Sequence, residues 1–294
     1  MMANRYPPMP FIVGVPRSGT TLLRLMLDAH PLLAIPPETG FLAKSLSWLR
    51  FFSSREAVFR MVTQLPFKTG PWRDFGLDAS EFRDELQKIK PFDLSEGFRA
   101  FYRLYARNQN KPRCGDKTPL YCRHMAKIEA LLPEAHFIHI IRDGRDVALS
   151  LRPMWFSPGQ DVQTLATYWS NLVQQTRADS AKCAAYLEIR YEELIANPES
   201  SLKTICNFLE LDFAPAMLRY WERSRDRLQE HKSRRGISGR IVVTQEQRIW
   251  QQRRIMEPPH QERAFCWKKE MAPAERVEFL RYAGATLQAL NYEV

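Results

Sequence analysis

At 294 residues the chain is near the upper size for one hydrophobic core, and two equal domains would need a linker. No Gly/Ser-rich, low-complexity or repeated stretch supplies one, so residues 1–294 are expected to form a single domain. A formal charge of +10 and a pI near 9.5 favour anionic ligands, acidic substrates or a membrane surface; zinc-finger spacing and aromatic RNA-binding motifs are missing, which argues against nucleic acid.

The opening MMANRYPPMP runs straight into an apolar stretch and leaves no room for a signal peptide, and no apolar run is long enough to span a bilayer. Cys114, Cys122, Cys183, Cys206 and Cys266 form no C-x-x-C pair and are odd in number. This pattern fits ordinary thiols in a reducing compartment, so a cytoplasmic location is expected.

Phe11-Ile12-Val13-Gly14-Val15 is a β-branched apolar run of the kind that forms a buried strand. Pro16-Arg17-Ser18-Gly19 is a turn of small residues around one arginine, and Thr20 to His30 reads as a helix with Leu23, Met26, Leu27 and His30 at helical spacing. Strand, glycine-bearing turn and helix form a phosphate-binding geometry, because turn N–H groups and the helix N-terminus converge on one anion. The Gly14–Gly19 spacing matches G-x-x-x-x-G-K-[ST], but Thr20 stands at the lysine position and Thr21 at the hydroxyl position. Without that lysine, NTP hydrolysis is disfavoured while a phosphate ligand is not.

Leu32 to Ile35 is a candidate second strand, ended by Pro36-Pro37. Glu38 follows at once. It reads either as a catalytic carboxylate at a strand's carboxyl end or as a helix-start acid before Phe41, Leu42 and Leu46. Residues 41–111 are mostly helical in pattern and carry Trp48, Phe51, Phe52, Phe59, Phe67, Trp72, Phe75, Phe82, Phe92, Phe98, Phe101, Tyr102 and Tyr105. Most are expected in the core and some along an acceptor pocket, making this segment a helical substrate lid. Cys114-Gly115-Asp116-Lys117-Thr118-Pro119 reads as a compact polar turn, with Lys117 either a positioned cation or a surface lysine.

His136 to Ile141 is the next strand, and Arg142-Asp143-Gly144-Arg145-Asp146 opens a helix over 147–151. Asp143 has the position of a Walker-B-like metal ligand, yet Arg142 at the strand tip suits bidentate phosphate contact. A long helix is expected over 161–182, then a strand Tyr186 to Arg190 followed by Tyr191-Glu192-Glu193-Leu194, where Tyr191 reads equally as a core ring. Residues 223–240 are strongly basic, a pattern that usually marks a solvated face. The final helix, Pro273 to Leu290, sets Val277, Leu280, Ala283, Leu287 and Leu290 on one side. His30 reads as structural and His124 as a reserve base.

Taken together, PRSGTT, GDKTP, the RDGRDV-to-Ser150 stretch and RYEEL resemble the PAPS-dependent sulfotransferases, closest to the branch of tyrosylprotein sulfotransferases and bacterial enzymes. The resemblance covers most of the chain. It implies a three-layer α/β fold like the P-loop nucleotide kinases, with a central parallel sheet of about five strands. It also implies transfer of a sulfuryl group from 3′-phosphoadenosine 5′-phosphosulfate (PAPS) to a hydroxyl or amine, releasing adenosine 3′,5′-bisphosphate (PAP), with no metal required.

By the same resemblance, Arg17, Ser18, Gly19, Thr20 and Thr21 hold the phosphosulfate, and Arg142 and Ser150 hold the 3′-phosphate. Glu38 is the general base, with a pKa raised by partial burial, and Lys117 neutralises the transferring group. Tyr191 lies near the nucleotide. A basic segment over 223–270 covers the nucleotide, with Trp267 and Lys268 closing it. Met154 stands where the family has an arginine. The acceptor class is left open, and so are an Mg-NTP-dependent kinase and a non-catalytic nucleotide- or polyanion-binding module.

Overall fold

A computed structural model describes residues 6–43, 54–64, 72–236 and 239–294. Its centre is an all-parallel, four-stranded sheet. The first strand, β1 (Met9–Val13), is followed by the short β2 (Leu33–Ala34) and β3 (Arg113–Cys114), and then by β4 (Asp116–Lys117), β5 (Ala135–Ile141) and β6 (Tyr186–Arg190). The sheet order is β4-β1-β5-β6, so the strand that leads into the glycine turn lies inside the sheet.

The sheet has four strands, one fewer than expected, because β2 pairs only with β3 in a separate parallel ladder. Gly115 is where the chain passes from that ladder to β4. A Cβ there would stand 2.6 Å from Pro10 Cγ and 2.8 Å from its carbonyl oxygen, so only glycine lets the chain pass this close to β1. The GDKTP stretch is thus partly a sheet strand, not only a turn.

Alternation along the strands builds two cores. Phe11, Val13, Phe137 and Ile141 face one side, where they meet Trp169 of the Val162–Ser180 helix and Phe279, Ala283 and Leu287 of the Pro273–Ala289 helix. Ile12, Ile138, Ile140 and Ile189 face the other, against Leu23, Met26 and Leu27 of the Thr20–Asp28 helix and Leu202 and Ile205 of the Pro198–Phe208 helix. Helices on both faces of a parallel sheet make the three-layer α/β fold that the sequence predicts.

Several elements differ in detail. The first helix ends at Asp28, and the His30 ring instead contacts the Asp212 carbonyl and the Leu32 N–H, in keeping with a structural role. Asp161 caps the long helix by accepting from Thr164 N–H at 2.7 Å. Val277 is 65% exposed, and Phe279, not on the expected stripe, is the buried anchor of the last helix.

Within the 41–111 segment, helices cover Arg55–Thr63, Ala79–Lys88 and Leu94–Asn108. Phe59, Phe75, Phe82, Phe98, Phe101, Tyr102 and Tyr105 are buried among one another, for example Phe75 against Phe101 with centroids 5.0 Å apart. Trp48, Phe51, Phe52 and Phe67 lie outside the described residues. None of the described rings of this segment lines the main cleft, which overturns the acceptor-pocket expectation for them.

At the end of β1 the chain turns at Gly14, whose φ is +145°. A Cβ there would meet the Ile140 carbonyl oxygen at 2.6 Å, inside the strand pairing. Gly14→Ala should therefore lower the unfolding free energy by about 2 kcal/mol, measured from the denaturant midpoint. An unchanged midpoint would show that this junction relaxes without cost.

Candidate active site

A cleft of about 940 Å³ opens at the carboxyl ends of β1, β4 and β5, where open parallel sheets place their ligands. Pro16, Arg17, Gly19, Thr20 and Thr21 form one wall. Arg17 and Gly19 both take positive φ, 75° and 100°, and this curls the turn around the helix N-terminus. No described side chain caps the helix that begins at Thr20, so its first N–H groups are left for an anion. Gly19 packs on the Tyr191 ring so closely that a Cβ would lie 2.5 Å from a ring carbon. Ser18 is fully buried beneath the turn and donates its N–H to the Val15 carbonyl.

Arg17 reaches across the cleft. Its Nε donates to Ser150 Oγ at 3.1 Å and an Nη to the Gln251 carbonyl at 3.3 Å. Burial, and then repulsion from Arg142 and Arg254, pull its pKa down to about 10. Arg142 stands just past β5, 8% exposed, with its guanidinium 4.5 Å from the Tyr191 ring centroid. It donates to the Arg263 carbonyl at 2.7 Å and, at 3.4 Å, to Asp146 and to the Arg17 carbonyl. Its Nε is buried with no hydrogen-bond partner among the described residues. Like charges gathered in one enclosed cleft, with donors to spare, are a ready seat for phosphate groups.

At the other end, Lys117 Nζ lies 2.7 Å from Glu38 Oε1. Lys117 is almost fully buried, so it is no surface lysine, while the Glu38 side chain is 36% exposed to the cleft. Asp116 builds this corner. Its carboxylate accepts from Thr39 Oγ1 at 2.6 Å, Tyr102 OH at 2.7 Å and Thr118 Oγ1 at 2.8 Å, and burial pushes its pKa up to about 6. Thr39 N–H donates to Thr118 Oγ1 at 3.1 Å, so the loop carrying Glu38 is tied to the strand carrying Lys117.

The expected upward shift of Glu38 does not occur. Burial does push its pKa up, but Lys117, Arg234 and Arg248 outweigh burial and hold it at about 2. Burial in turn pulls Lys117 down, against the attraction of Glu38.

The structure brings Arg17, Gly19, Thr20, Thr21, Glu38, Lys117, Arg142, Ser150 and Tyr191 to one cleft. It does not bring Trp267 or Lys268 there. Trp267 is buried, with the Arg145 guanidinium 3.5 Å from its ring centroid, and Lys268 pairs with Glu293. Arg254 and Arg263 line the cleft instead. The basic 223–240 stretch is only partly a solvated face, since Arg227 is buried against Asp28, Glu230 and Tyr105. Arg152 pairs with Glu275, away from the cleft. Asp143 has both oxygens engaged by Arg145, at 3.0 and 2.8 Å, and caps the Gly144–Leu151 helix, which takes it out of a Walker-B role.

Sequence reasoning missed Arg234 and Arg248, which flank Glu38, and the exposed Trp155 and Phe156, which line the cleft with Tyr168. Arg248 is fixed by Asp74 at 2.8 Å, and Asp74 lies more than a hundred residues earlier in the chain. No local motif announces such a pair. His124 also lines the cleft, its pKa pulled down by burial and then by Lys127 and Arg123.

Fold and cleft are those of an α/β protein with a basic cleft beyond the carboxyl ends of a parallel sheet. The "Sulfotransferase family" model matches residues 8–215, and the chain belongs to the PAPS-dependent sulfotransferase family. As a member it is an enzyme that moves a sulfuryl group from PAPS to an acceptor.

Among its relatives is a putative protein-tyrosine sulfotransferase of Caenorhabditis briggsae, 27% identical over 229 residues, covering 75% of this chain and 72% of that one. Protein-tyrosine sulfotransferase A of Caenorhabditis elegans is 27% identical over 224 residues, covering 74% of this chain and 53% of the relative. The nodulation protein NoeE of Sinorhizobium fredii is 28% identical over 236 residues, covering 72% and 52%. The chain thus spans only about half the length of the last two. In fold it is similar to the sulfotransferase domain of the curacin biosynthetic pathway, with a TM-score of 0.60, 20% identity, and 99% of this chain and 100% of that one covered. The sulfotransferase domain of the Synechococcus PCC 7002 olefin synthase gives a TM-score of 0.59 at 21% identity, with 100% and 98% covered. Among the described residues, no helix is long and apolar enough to cross a membrane.

The wall around Arg248 has a pH signature. His231 is 7% exposed, its Nδ1 lies 3.2 Å from Arg248, and burial first of all pulls its pKa down to about 4. A histidine that resists protonation when folded takes it up on unfolding. Stability from this group is therefore full above its ordinary value of 6.5 and is lost as pH falls towards 4. Between those pH values His231→Asn should lose less stability than the parent chain, by on the order of 3 kcal/mol, measured by denaturant titration at each pH. Identical pH slopes would show that His231 is not kept neutral by the fold.

Proposed function

We propose that Glu38, Lys117 and Arg17 carry the chemical step, within a domain formed by residues 1–294. The observation behind this reading is the Lys117–Glu38 pair, 2.7 Å apart on the cleft wall that faces the phosphate cradle. PAPS lies with its 3′-phosphate between Arg142 and Ser150 and its phosphosulfate in the turn from Arg17 to Thr21. The acceptor oxygen attacks sulfur in line, the bond from sulfur to the bridging oxygen breaks, and PAP leaves with the added negative charge. Arg17, Lys117 and the turn N–H groups meet that charge. Glu38 takes the acceptor proton. No step of this scheme is routed through a metal.

Lys117 has two roles in this scheme. Paired with Glu38, it holds the carboxylate ionised and only weakly basic. When the phosphosulfate draws Lys117 towards itself, Glu38 loses its nearest cation and its pKa rises towards the range where it can accept a proton. Donor binding thereby prepares the base.

The Caenorhabditis relatives are named for protein tyrosine, so a phenolic hydroxyl is the first acceptor to test. Trp155, Phe156 and Tyr168 supply flat apolar surface for a ring in the cleft that Glu38 also lines. The five free thiols fit a cytoplasmic protein.

PAP in EDTA should raise the melting temperature clearly and Mg-ATP should raise it little, because a ligand that binds only the folded state stabilises it. The reverse ranking would overturn the donor assignment in favour of an NTP. Glu38→Gln should keep PAP affinity and lose turnover by ~10²-fold or more with any working acceptor. Near-parental turnover would assign the base role to another group, with His124 next in line.

A further inference from the structure

We infer that Asp146 is a positioning residue for the donor's 3′-phosphate: it fixes the 263–267 segment over Arg142, and so sets how strongly the 3′-phosphate is held. This rests on the reading that Arg142 meets that phosphate. The Asp146 carboxylate is 1% exposed and sits in the first turn of the Gly144–Leu151 helix, one turn from Arg142. One oxygen accepts from Trp267 N–H at 2.8 Å and from the Cys266 thiol at 3.1 Å. The other accepts from Phe265 N–H at 2.9 Å and from Arg142 at 3.4 Å.

One carboxylate therefore joins the phosphate-site arginine to a segment far along the chain. The segment is held in a specific shape. Phe265 has a φ of 58°, a left-handed conformation that bulky residues avoid, and its N–H points at Asp146. Two residues before it, Arg263 gives its carbonyl to Arg142 at 2.7 Å and lines the cleft together with Arg254. The two N–H bonds to Asp146 help offset the strain at Phe265, and without them Arg263 and its carbonyl lose a tether. The helix at Trp267–Glu270 stays anchored separately, because Trp267 is buried under Arg145. The loss thus falls on the phosphate cover more than on the fold.

The test is calorimetric titration of the whole chain and of Asp146→Asn with two ligands, PAP and adenosine 5′-phosphate, which lacks the 3′-phosphate. Charge-assisted contacts of this kind imply that the variant loses ~10- to 100-fold in affinity for PAP and keeps its affinity for adenosine 5′-phosphate. Retained binding of adenosine 5′-phosphate also shows that the variant is folded. Arg263→Ala, which leaves Asp146 in place, should remove part of the same PAP preference, and the double variant should lose less than the sum of the two. Equal losses for both ligands, or full additivity, would mean that Asp146 serves only the fold, and an undiminished PAP preference in Asp146→Asn would overturn the inference outright. A parent chain with no preference for PAP would instead remove the donor assignment on which the inference stands.

Discussion

Cations confined in one cleft repel one another, and the fold has to hold them there. Four of the basic groups at the site are fixed by specific oxygens. Arg17 has the Gln251 carbonyl and Ser150, Arg142 has the Arg263 carbonyl and Asp146, Lys117 has Glu38, and Arg248 has Asp74. These partners come from elements far apart in sequence, so the site exists only when the sheet, the segment before β3 and the chain after residue 245 are all in place. Repulsion remains after this pairing, as the lowered pKa of Arg17 shows. Under the proposed roles, a polyanionic donor relieves that stress without depending on one dominant contact.

The sheet converts this electrostatic requirement into geometry. Pairing of β1 with both β4 and β5 puts the glycine turn, Lys117 and Arg142 at neighbouring strand ends. Gly14 lets the chain leave β1 against the Ile140 carbonyl, and Gly115 lets β4 come close to Pro10. Buried Asp116 then locks the loop of Thr39 to the strand of Lys117, so that Glu38 and Lys117 meet with little freedom. Such a carboxylate, satisfied by three hydroxyls, is costly to bury and specific once buried.

The parts legible in the sequence are those whose physics is local. The strand and helix around Pro16–Gly19 and the strand tip at Arg142 follow from apolar patterning and residue placement, Tyr191 is marked only by the family resemblance, and the structure brings all of them to the cleft. What stayed hidden depends on long-range pairing. Nothing near Asp74 shows that it will hold Arg248, and nothing near Asp146 shows that it will catch Phe265 and Trp267. Trp267 looks like a cover residue in a basic run and is in fact the buried foot of that run. The 41–111 segment misleads for a related reason: its buried rings, among the described residues, extend the core on the Phe11 face of the sheet, so aromatic density there reports burial and not ligand contact.

The low basicity of Glu38 beside Lys117 fits its proposed role as proton acceptor once timing is considered. The pair keeps the buried Lys117 ammonium neutralised by a carboxylate at 2.7 Å. Under the proposed roles, Lys117 then exchanges one anion for another, and the proton affinity of Glu38 rises only when an electrophile is present. Linkage makes the exchange reciprocal: whatever protonates Glu38 frees Lys117 for the donor, and whatever binds Lys117 makes Glu38 a better base. The residual pull of Arg234 and Arg248 limits how far that rise goes. The proton is thus best transferred late, when the attacking oxygen is already bonding to sulfur and its own acidity has climbed to meet the carboxylate.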